Sequence, residues 1–280
     1  MKTYRLLKAI HPGAKVEPVS VLNPDQLRVP KSAFGAAKKH YTLEAENVLK
    51  KWVRGIKDPN LTAPALLQSE HYSRRGTVQT LLAYVKSSGA GMIGLNTHCR
   101  KGMVRWFLGS FAETLLLHSP VPVLLVNPKT KVPKRIKTIL FPTDLSDSSK
   151  RSLDKLAPIA QEMKAKLVIH HKVEYVLPET ALVLGAAPVY TNYTNDDAAE
   201  RLKKIEKWAE DLNRAGVETT TVFDRKPRYV SGSILAEAKK QKADLIAMAS
   251  EATTFSSVVV GSTAREVVRQ SPIPVLVFHS

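Results

Sequence analysis

The chain has 280 residues, of which 44% are hydrophobic and 24% charged, a composition typical of a folded globular protein. No apolar run approaches the roughly 18 residues of a membrane-spanning helix, and the N-terminus lacks the apolar core of a secretion signal, so we expect a cytoplasmic protein. The formal net charge is +17, and the single cysteine, Cys99, excludes an intrachain disulfide.

The first half of the chain is predicted to alternate strands with helices, because short apolar runs are separated by segments of helical periodicity. In chain order we predict a strand at 16–22, a helix through Leu43, Val48, Leu49 and Trp52, a strand at 61–68, a helix at 78–85, and strands at 92–95 and 121–126. Residues 127–134, NPKTKVPK, interrupt every periodic pattern and are predicted to be a linker.

The second half repeats this alternation. An apolar run at 137–141 ends at Pro142, and residues 144–149 supply helix-capping side chains, which predicts a strand, a turn and a helix. Further strands are predicted at 167–170, 217–223, 243–248 and 273–278, with helices over 202–212, 234–240 and 262–268. Five strands interleaved with helices indicate a parallel sheet covered on both faces. The long, almost uncharged connection at 176–195 is predicted to form a packed interface.

One phrase occurs twice and establishes a tandem repeat. Gly109-Ser110 and Gly261-Ser262 are each followed by a helix and by SPVPV at 119–123 or SPIPV at 271–275. Each copy is about the size of a domain, too long for a solenoid repeat. We therefore predict two domains, a first unit at 1–130 and a second unit at 135–280. Trp52 and Trp208 fall at equivalent positions, and we expect both in the core.

The sequence of the first unit shows no counterpart of the first strand predicted for the second unit. Aligning residues 14–16 with 165–167 puts Met1 near Ser152, inside a helix, so the counterpart of 137–144 is missing. We predict that residues 4–10 form this helix; the alternative is a strand. Either the natural product is longer, or the first domain is incomplete and leans on its neighbour.

The positive charge is concentrated in the first unit. Residues 1–134 hold 21 Lys and Arg against 7 Asp and Glu, a balance of 21 − 7 = +14, while residues 135–280 hold 21 against 18, a balance of +3. Such charge attracts nucleic acid and other polyanions. No recognition helix or aromatic platform accompanies it, so we favour a solubilising surface.

The motifs resemble those of the universal stress protein family. ILFPTDLSDSSKRSL at 139–153, DLIAMAS at 244–250 and SPIPVLV at 271–277 are similar to the family's pattern, as is the first unit's run at 97–126. The resemblance implies two Rossmann-like α/β domains of the adenine nucleotide alpha hydrolase-like type, each with a parallel five-stranded sheet of order 3-2-1-4-5 flanked by helices. It also implies that the domains pair through their last strands, as in the dimers of single-domain relatives.

The resemblance further implies a nucleotide site. Family members that bind nucleotides use an aspartate after the first strand and a loop Gly-x-x-Gly-x9-Gly followed by Ser or Thr. The matching positions are Asp144, Gly261 and Ser262 in the second unit, with Ala249 and Ala252 for the leading glycines, and Asn96, Cys99, Gly109 and Ser110 in the first. A side chain at the leading positions obstructs the approach of the backbone to phosphate, so both loops are degenerate and we expect no tightly bound cofactor.

Other chemistry finds little support in the sequence. A weak ATP, AMP or anion site near Arg74, Arg75, Arg100, Lys101 and Arg105 is the alternative to solvated charge. Cys99 is interpreted as a small replacement for a loop glycine rather than a redox-sensing thiol. His170 and His171 lie on opposite faces of a strand and cannot share a metal. No Ser-His-Asp, P-loop or metal motif is found.

The sequence therefore predicts a non-enzymatic stress-response factor that acts through partner or small-anion binding. Two alternatives stay open: an ATP- or AMP-binding sensor or slow ATPase, and a polyanion-binding module. A homodimer is also compatible with the sequence.

Overall fold

The computed structural model describes residues 1–23, 31–69, 71, 73–97, 109–128, 130–173, 195–226, 228–250 and 261–279, without the side chains of 31–39 and 195–196. The connection at 176–195, for which we predict a packed interface, lies almost entirely outside this set.

The first unit has the predicted order of elements. They are α1 (Lys2–Ile10), β1 (Val19–Leu22), α2 (Lys31–Val53), β2 (Ala65–Gln68), α3 (Arg74–Ser88), β3 (Ile93–Asn96), α4 (Ser110–His118) and β4 (Val123–Val126). Residues 4–10 are helical, which excludes the alternative strand there. The structure places Arg74 and Arg75 in the first turn of α3, directly after the N-cap Ser73.

The second unit is complete. Its elements are β5 (Thr138–Thr143), α5 (Asp147–Met163), β6 (Lys166–Lys172), α6 (Asn195–Arg214), β7 (Thr219–Asp224), α7 (Val230–Lys240), β8 (Leu245–Ser250), α8 (Ser262–Gln270) and β9 (Val275–His279). All strand pairs within this unit are parallel, as expected for strands joined by helical crossovers.

The strands form a seven-stranded sheet of order β3-β4-β9-β8-β5-β6-β7 and a two-stranded sheet of β1 and β2. Within the second unit this is the order 3-2-1-4-5, with β5 at the centre. The first unit departs from the pattern because nothing in its described part occupies the place of β5. Its strands are consequently divided, with β1 and β2 in one sheet and β3 and β4 in the other.

The two units pair through their last strands. β4 and β9 are antiparallel, with Val123 opposite Val277, Leu124 opposite Leu276 and Leu125 opposite Val275. All of these side chains are buried. The linker is held against the first unit, because Lys2 Nζ of α1 donates a hydrogen bond to the carbonyl oxygen of Thr130 over 3.0 Å.

The sheet separates two apolar layers. One layer contains side chains of α1, α5 and α6, and the other contains side chains of α3, α4, α7 and α8. Because side chains alternate along a strand, β5 serves both layers. Ile139 and Phe141 belong to the first layer, and Leu140 belongs to the second.

The two equivalent tryptophans have different environments. Trp208 on α6 is 6% exposed and belongs to the layer that contains Phe141, whereas Trp52 on α2 is 42% exposed. The expectation of a core position was therefore wrong for Trp52. In the second unit β5 contributes Ile139 and Phe141 to this layer, and the described residues of the first unit form no counterpart of that strand.

Candidate functional site

Asp144 directly follows β5, at the carboxyl end of that strand. Its Oδ1 accepts hydrogen bonds from the Ser149 hydroxyl at 2.6 Å and from the Ser146 backbone N–H at 3.0 Å. Ser146 is the N-cap of α5 and accepts a bond from the Ser149 N–H at 3.1 Å, as its residue type predicted. The residue as a whole is exposed to solvent, although part of its carboxyl group is buried.

The turn around Asp144 contains a strained residue. Leu145 adopts φ = 66°, a left-handed conformation that is unfavourable for a bulky side chain. Its N–H donates to Thr143 Oγ1 over 2.9 Å, and its side chain is buried. Strain of this kind persists where the surrounding structure holds it, and it occurs most often at binding sites.

Two effects act on the ionisation of Asp144. Partial burial raises its pKa, but the hydrogen bonds from Ser149 and Ser146 outweigh it, so the pKa lies below the ordinary value of an aspartate. The side chain is therefore an anion at neutral pH and can only accept hydrogen bonds.

His171, on the neighbouring strand β6, contacts the residue before Asp144. Its Nδ1 lies 2.9 Å from the carbonyl oxygen of Thr143. Because a carbonyl oxygen only accepts, Nδ1 must carry the proton.

Gly261 is the N-cap of α8, and Ser262 is the first residue of that helix. β8 precedes this helix in the chain and lies beside β5 in the sheet, so Asp144 and the start of α8 share one edge. In the sheet, β5 lies between β6 and β8, so the strand order reverses direction at β5. This reversal is a topological switch point, and ligands of such sheets usually bind in the crevice at the carboxyl ends of the strands there. Ala252 lies outside the described residues, so the loop itself carries no geometry.

The corresponding polar side chains of the first unit are bound within the chain. Asn96, at the end of β3, accepts a hydrogen bond through Oδ1 from the Thr3 hydroxyl of α1 at 2.6 Å. Ser110 Oγ accepts one from Arg74 Nη1 at 2.7 Å. Gly109 has φ = −65°, and no described atom lies within 4 Å of the position that a Cβ would take. Cys99, Arg100, Lys101 and Arg105 fall outside the described residues.

The interior of the second unit contains a polar network that sequence reasoning missed. The Ser233 hydroxyl lies 3.1 Å from His170 Nε2 and donates to Asp224 Oδ2. Burial lowers the pKa of His170 to about 4, although Asp224 and Glu237 oppose this effect. Asp224 is the last residue of β7, and Ser233 lies in the first turn of α7. From the sequence alone, an aspartate and a serine at these positions indicate only a loop and the start of a helix.

His170 and His171 have different partners on different elements, as the alternation along a strand predicted. Among the residues that the structure describes, no group of three or more His, Cys, Asp and Glu side chains could hold a metal ion. None of the described helices has the length and apolar character needed to cross a bilayer.

Comparison with known proteins agrees with this architecture. The family model described as "Universal stress protein family" matches residues 5–127 and again residues 135–279. A universal stress protein of Methanocaldococcus jannaschii is 32% identical over 144 residues, which are 50% of this chain and 81% of that protein. One from Bacillus subtilis is 28% identical over 145 residues, covering 50% of this chain and 96% of the relative.

Solved structures show the same tandem fold. A universal stress protein from Archaeoglobus fulgidus superposes with a TM-score of 0.69 at 20% identity, covering 99% of this chain and 93% of the other. A putative universal stress protein from Pseudomonas aeruginosa gives a TM-score of 0.57 at 17% identity, with coverage of 95% and 94%. The family model matches both halves of the chain, and the chain therefore belongs to the universal stress protein family.

Proposed function

We propose that this protein is a non-enzymatic stress-response factor that acts by binding partners or small anions rather than by turning over a nucleotide. The proposal rests on one observation, which is that the polar side chains of the first unit's site are already hydrogen-bonded within the chain. Both of its described polar side chains, Asn96 and Ser110, already bond to Thr3 and Arg74. The described part of the first unit places no carboxylate at the position that Asp144 has in the second unit.

Small-anion binding has a specific location in the first unit. The Arg74 guanidinium lies at the start of α4, where Ser110 and the helix N-terminus favour negative charge. An anion there would exchange the bond between Arg74 and Ser110 for charge-assisted bonds to both residues. The +14 balance of the surrounding unit strengthens the local positive potential.

The second unit supports nucleotide binding without hydrolysis as a second candidate. Asp144 is an anion on a strained turn, and the residue is exposed to solvent. Such a carboxylate accepts bonds from the hydroxyl or amino groups of a nucleoside. Its loop partner positions are Ala249 and Ala252 instead of glycines, which weakens any accompanying phosphate contact.

Phosphate release and nucleotide retention decide between these functions. The purified chain should release phosphate from ATP no faster than Asp144→Ala, and native mass spectrometry should find no retained adenine nucleotide. Robust hydrolysis that Asp144→Ala abolishes would overturn the proposal. Adenine nucleotide retained by the wild type but not by Asp144→Ala would establish the second candidate. Sulfate should raise the melting temperature of the wild type more than that of Arg74→Gln.

A further inference from the structure

The connection between β4 and β5, residues 127–137, is basic and carries no compensating acid. The sequence contains no acidic residue between Glu113 and Asp144. The connection exposes four basic side chains, which are Lys131, Lys134, Arg135 and Lys137. None of these four forms an ion pair with a residue that the structure describes. Their positive charge is therefore available to a ligand.

The backbone of this connection is fixed to the core, while its basic side chains remain exposed. Ile136 is buried in the apolar layer of α1, α5 and α6, and Val132 packs against the same layer. Lys2 Nζ donates hydrogen bonds to the carbonyl oxygens of Pro128 and Thr130. Because the backbone is already ordered, a ligand that binds the charged side chains loses less free energy to conformational entropy than it would with a free linker.

The strands that begin beside this connection add further lysines. β5 lies between β6 and β8 and is parallel to both, so the three amino ends meet at one edge of the sheet. Lys164 precedes β6, Lys242 precedes β8 and Lys137 precedes β5, and all three are exposed. Neighbouring strands are about 4.8 Å apart, so these lysines continue the row of positive charge. The basic edge consists of Lys131, Lys134, Arg135, Lys137, Lys164 and Lys242.

Acidic residues close to this edge already have partners. Asp244 Oδ2 accepts hydrogen bonds from two backbone N–H groups at the start of β5, at 2.7 and 3.1 Å. Glu218 Oε1 lies 3.9 Å from Lys166 Nζ, and Glu162 Oε2 lies 3.1 Å from His11 Nδ1. The basic edge therefore keeps an excess of positive charge.

The side chains of the basic edge suit a ligand that is bound through its charge. Lysine and arginine donate hydrogen bonds to phosphate oxygens, and each such contact releases counterions from a nucleic acid. The exposed tryptophan and tyrosine rings of the described chain lie elsewhere, Trp52 on α2 and Tyr229 after the carboxyl end of β7. The bases of a single strand would therefore find no such ring to stack on at this edge.

We propose that the basic edge binds double-stranded DNA through its phosphates, without reading the base sequence. A duplex carries about one negative charge per 1.7 Å of its axis, and it releases more counterions per contact than a single strand does. Phosphate contacts carry no sequence information, so no recognition helix is required. This activity goes beyond the proposed function and does not involve the small-anion site at Arg74.

An anionic membrane matches the basic edge less well than a duplex does. Stable attachment to a membrane takes an apolar or lipid anchor in addition to a basic patch. The aliphatic side chains of the connection, Val132 and Ile136, pack on the core of the protein instead. We therefore expect the duplex to be the preferred ligand.

Fluorescence anisotropy with a labelled DNA duplex of about 20 base pairs tests the proposal on the full chain. We expect saturable binding whose affinity falls about 100-fold between about 50 and 200 mM NaCl, as about four phosphate contacts predict. Duplexes of unrelated sequence should bind equally well. A single strand of the same length should bind more weakly, and so should vesicles of phosphatidylcholine and phosphatidylserine.

Two variants with the same net charge separate the basic edge from the overall charge of the chain. The test variant combines Lys131→Gln, Lys134→Gln, Arg135→Gln and Lys137→Gln. The control variant changes four exposed basic residues on α2, after α2 and on α3, and combines Lys51→Gln, Arg54→Gln, Lys57→Gln and Lys86→Gln. Neither set forms ion pairs within the described structure, so both variants should keep the melting temperature of the wild type.

The test variant should bind the duplex at least about tenfold more weakly than the wild type at about 50 mM NaCl. The slope of its log affinity against log salt concentration should be shallower by about 3 to 4, whereas the control variant should stay within about 1 of the wild type. The proposal would be overturned by absent or salt-independent binding, by equal weakening in both variants, or by tighter binding to the single strand or the vesicles. The proposed function is tested separately, because phosphate release, retained nucleotide and the effect of sulfate do not depend on the basic edge.

Discussion

Ser233 and His170 are joined by a buried contact of 3.1 Å between the serine hydroxyl and Nε2 of the ring. The serine proton goes to Asp224, since a carboxylate only accepts, so Nε2 must be the donor to Ser233. Nδ1 is then the unprotonated nitrogen, and it is buried without a hydrogen-bond partner in the described structure. Protonation of His170 would place a charge at that unpaired position.

The stability of the protein should consequently depend on pH through His170. The pKa of this residue is about 4 in the folded protein and about 6.5 in an unfolded chain. The unfolded state therefore binds more protons between these values, and stability falls as pH decreases from about 6.5 to 4, by up to about 3 kcal/mol. Urea unfolding across this range measures the effect. His170→Gln should flatten the profile, and His40→Gln, at an exposed site, should not; equal slopes in wild type and His170→Gln would contradict the assignment.

The equivalent tryptophans should differ in their contribution to stability. Trp208→Ala removes a buried ring from the α6 layer and should cost about 3–5 kcal/mol. Trp52→Ala removes a half-exposed ring and should cost about 1 kcal/mol or less. Chemical denaturation of the two variants provides the comparison. Equal losses would mean that α2 is packed as firmly as α6.

The junction between the units should depend on apolar packing more than on charge. Leu124 is fully buried opposite Leu276, and Leu124→Ala should cost about 2–5 kcal/mol. Arg265 and Glu113 form an ion pair of 3.9 Å between the units, with both side chains partly exposed. Glu113→Gln should therefore change stability by about 1 kcal/mol at most. Thermal unfolding of both variants compares their losses of stability. A larger loss in Glu113→Gln than in Leu124→Ala would contradict the prediction.

Two serines near Asp144 form a matched pair. Ser146→Ala removes the N-cap bond to Ser149 and should cost about 1 kcal/mol. Ser148 has a buried hydroxyl without a hydrogen-bond partner among the described atoms, so Ser148→Ala should be close to neutral. Differential scanning calorimetry at one pH compares them. A destabilised Ser148→Ala would show that its hydroxyl has a partner.

The doubled motifs were sufficient to predict the α/β fold and the tandem arrangement, because apolar periodicity and capping residues are local signals. The strand order of the second unit was predicted only from the resemblance to the universal stress protein family. The helix at residues 4–10 followed from aligning the copies. The exposure of Trp52 could not be predicted in this way, because the burial of a helix residue depends on the strands that pack against it, as β5 does in the layer that contains Trp208. Likewise, nothing local to His170 indicates that Ser233 and Asp224 come together around it, since they lie on three different elements.

For the candidate site, the sequence identified the residue positions but not their backbone conformations or hydrogen-bond partners. Asp144 was predicted from its motif, and the left-handed Leu145 beside it was not, because a leucine gives no sign of that conformation. Asn96 and Ser110 were predicted as loop positions. Their partners Thr3 and Arg74 come from α1 and α3, and only the folded arrangement brings them within hydrogen-bonding distance.

The antiparallel pairing of β4 with β9 also has a consequence for concentration. A short covalent link holds the two strands at a high effective concentration, so their association does not weaken on dilution. Two separate chains making the same contact would be governed by a dissociation constant and would part when scarce. In this protein we expect the joined sheet to persist on dilution, because both strands belong to one chain.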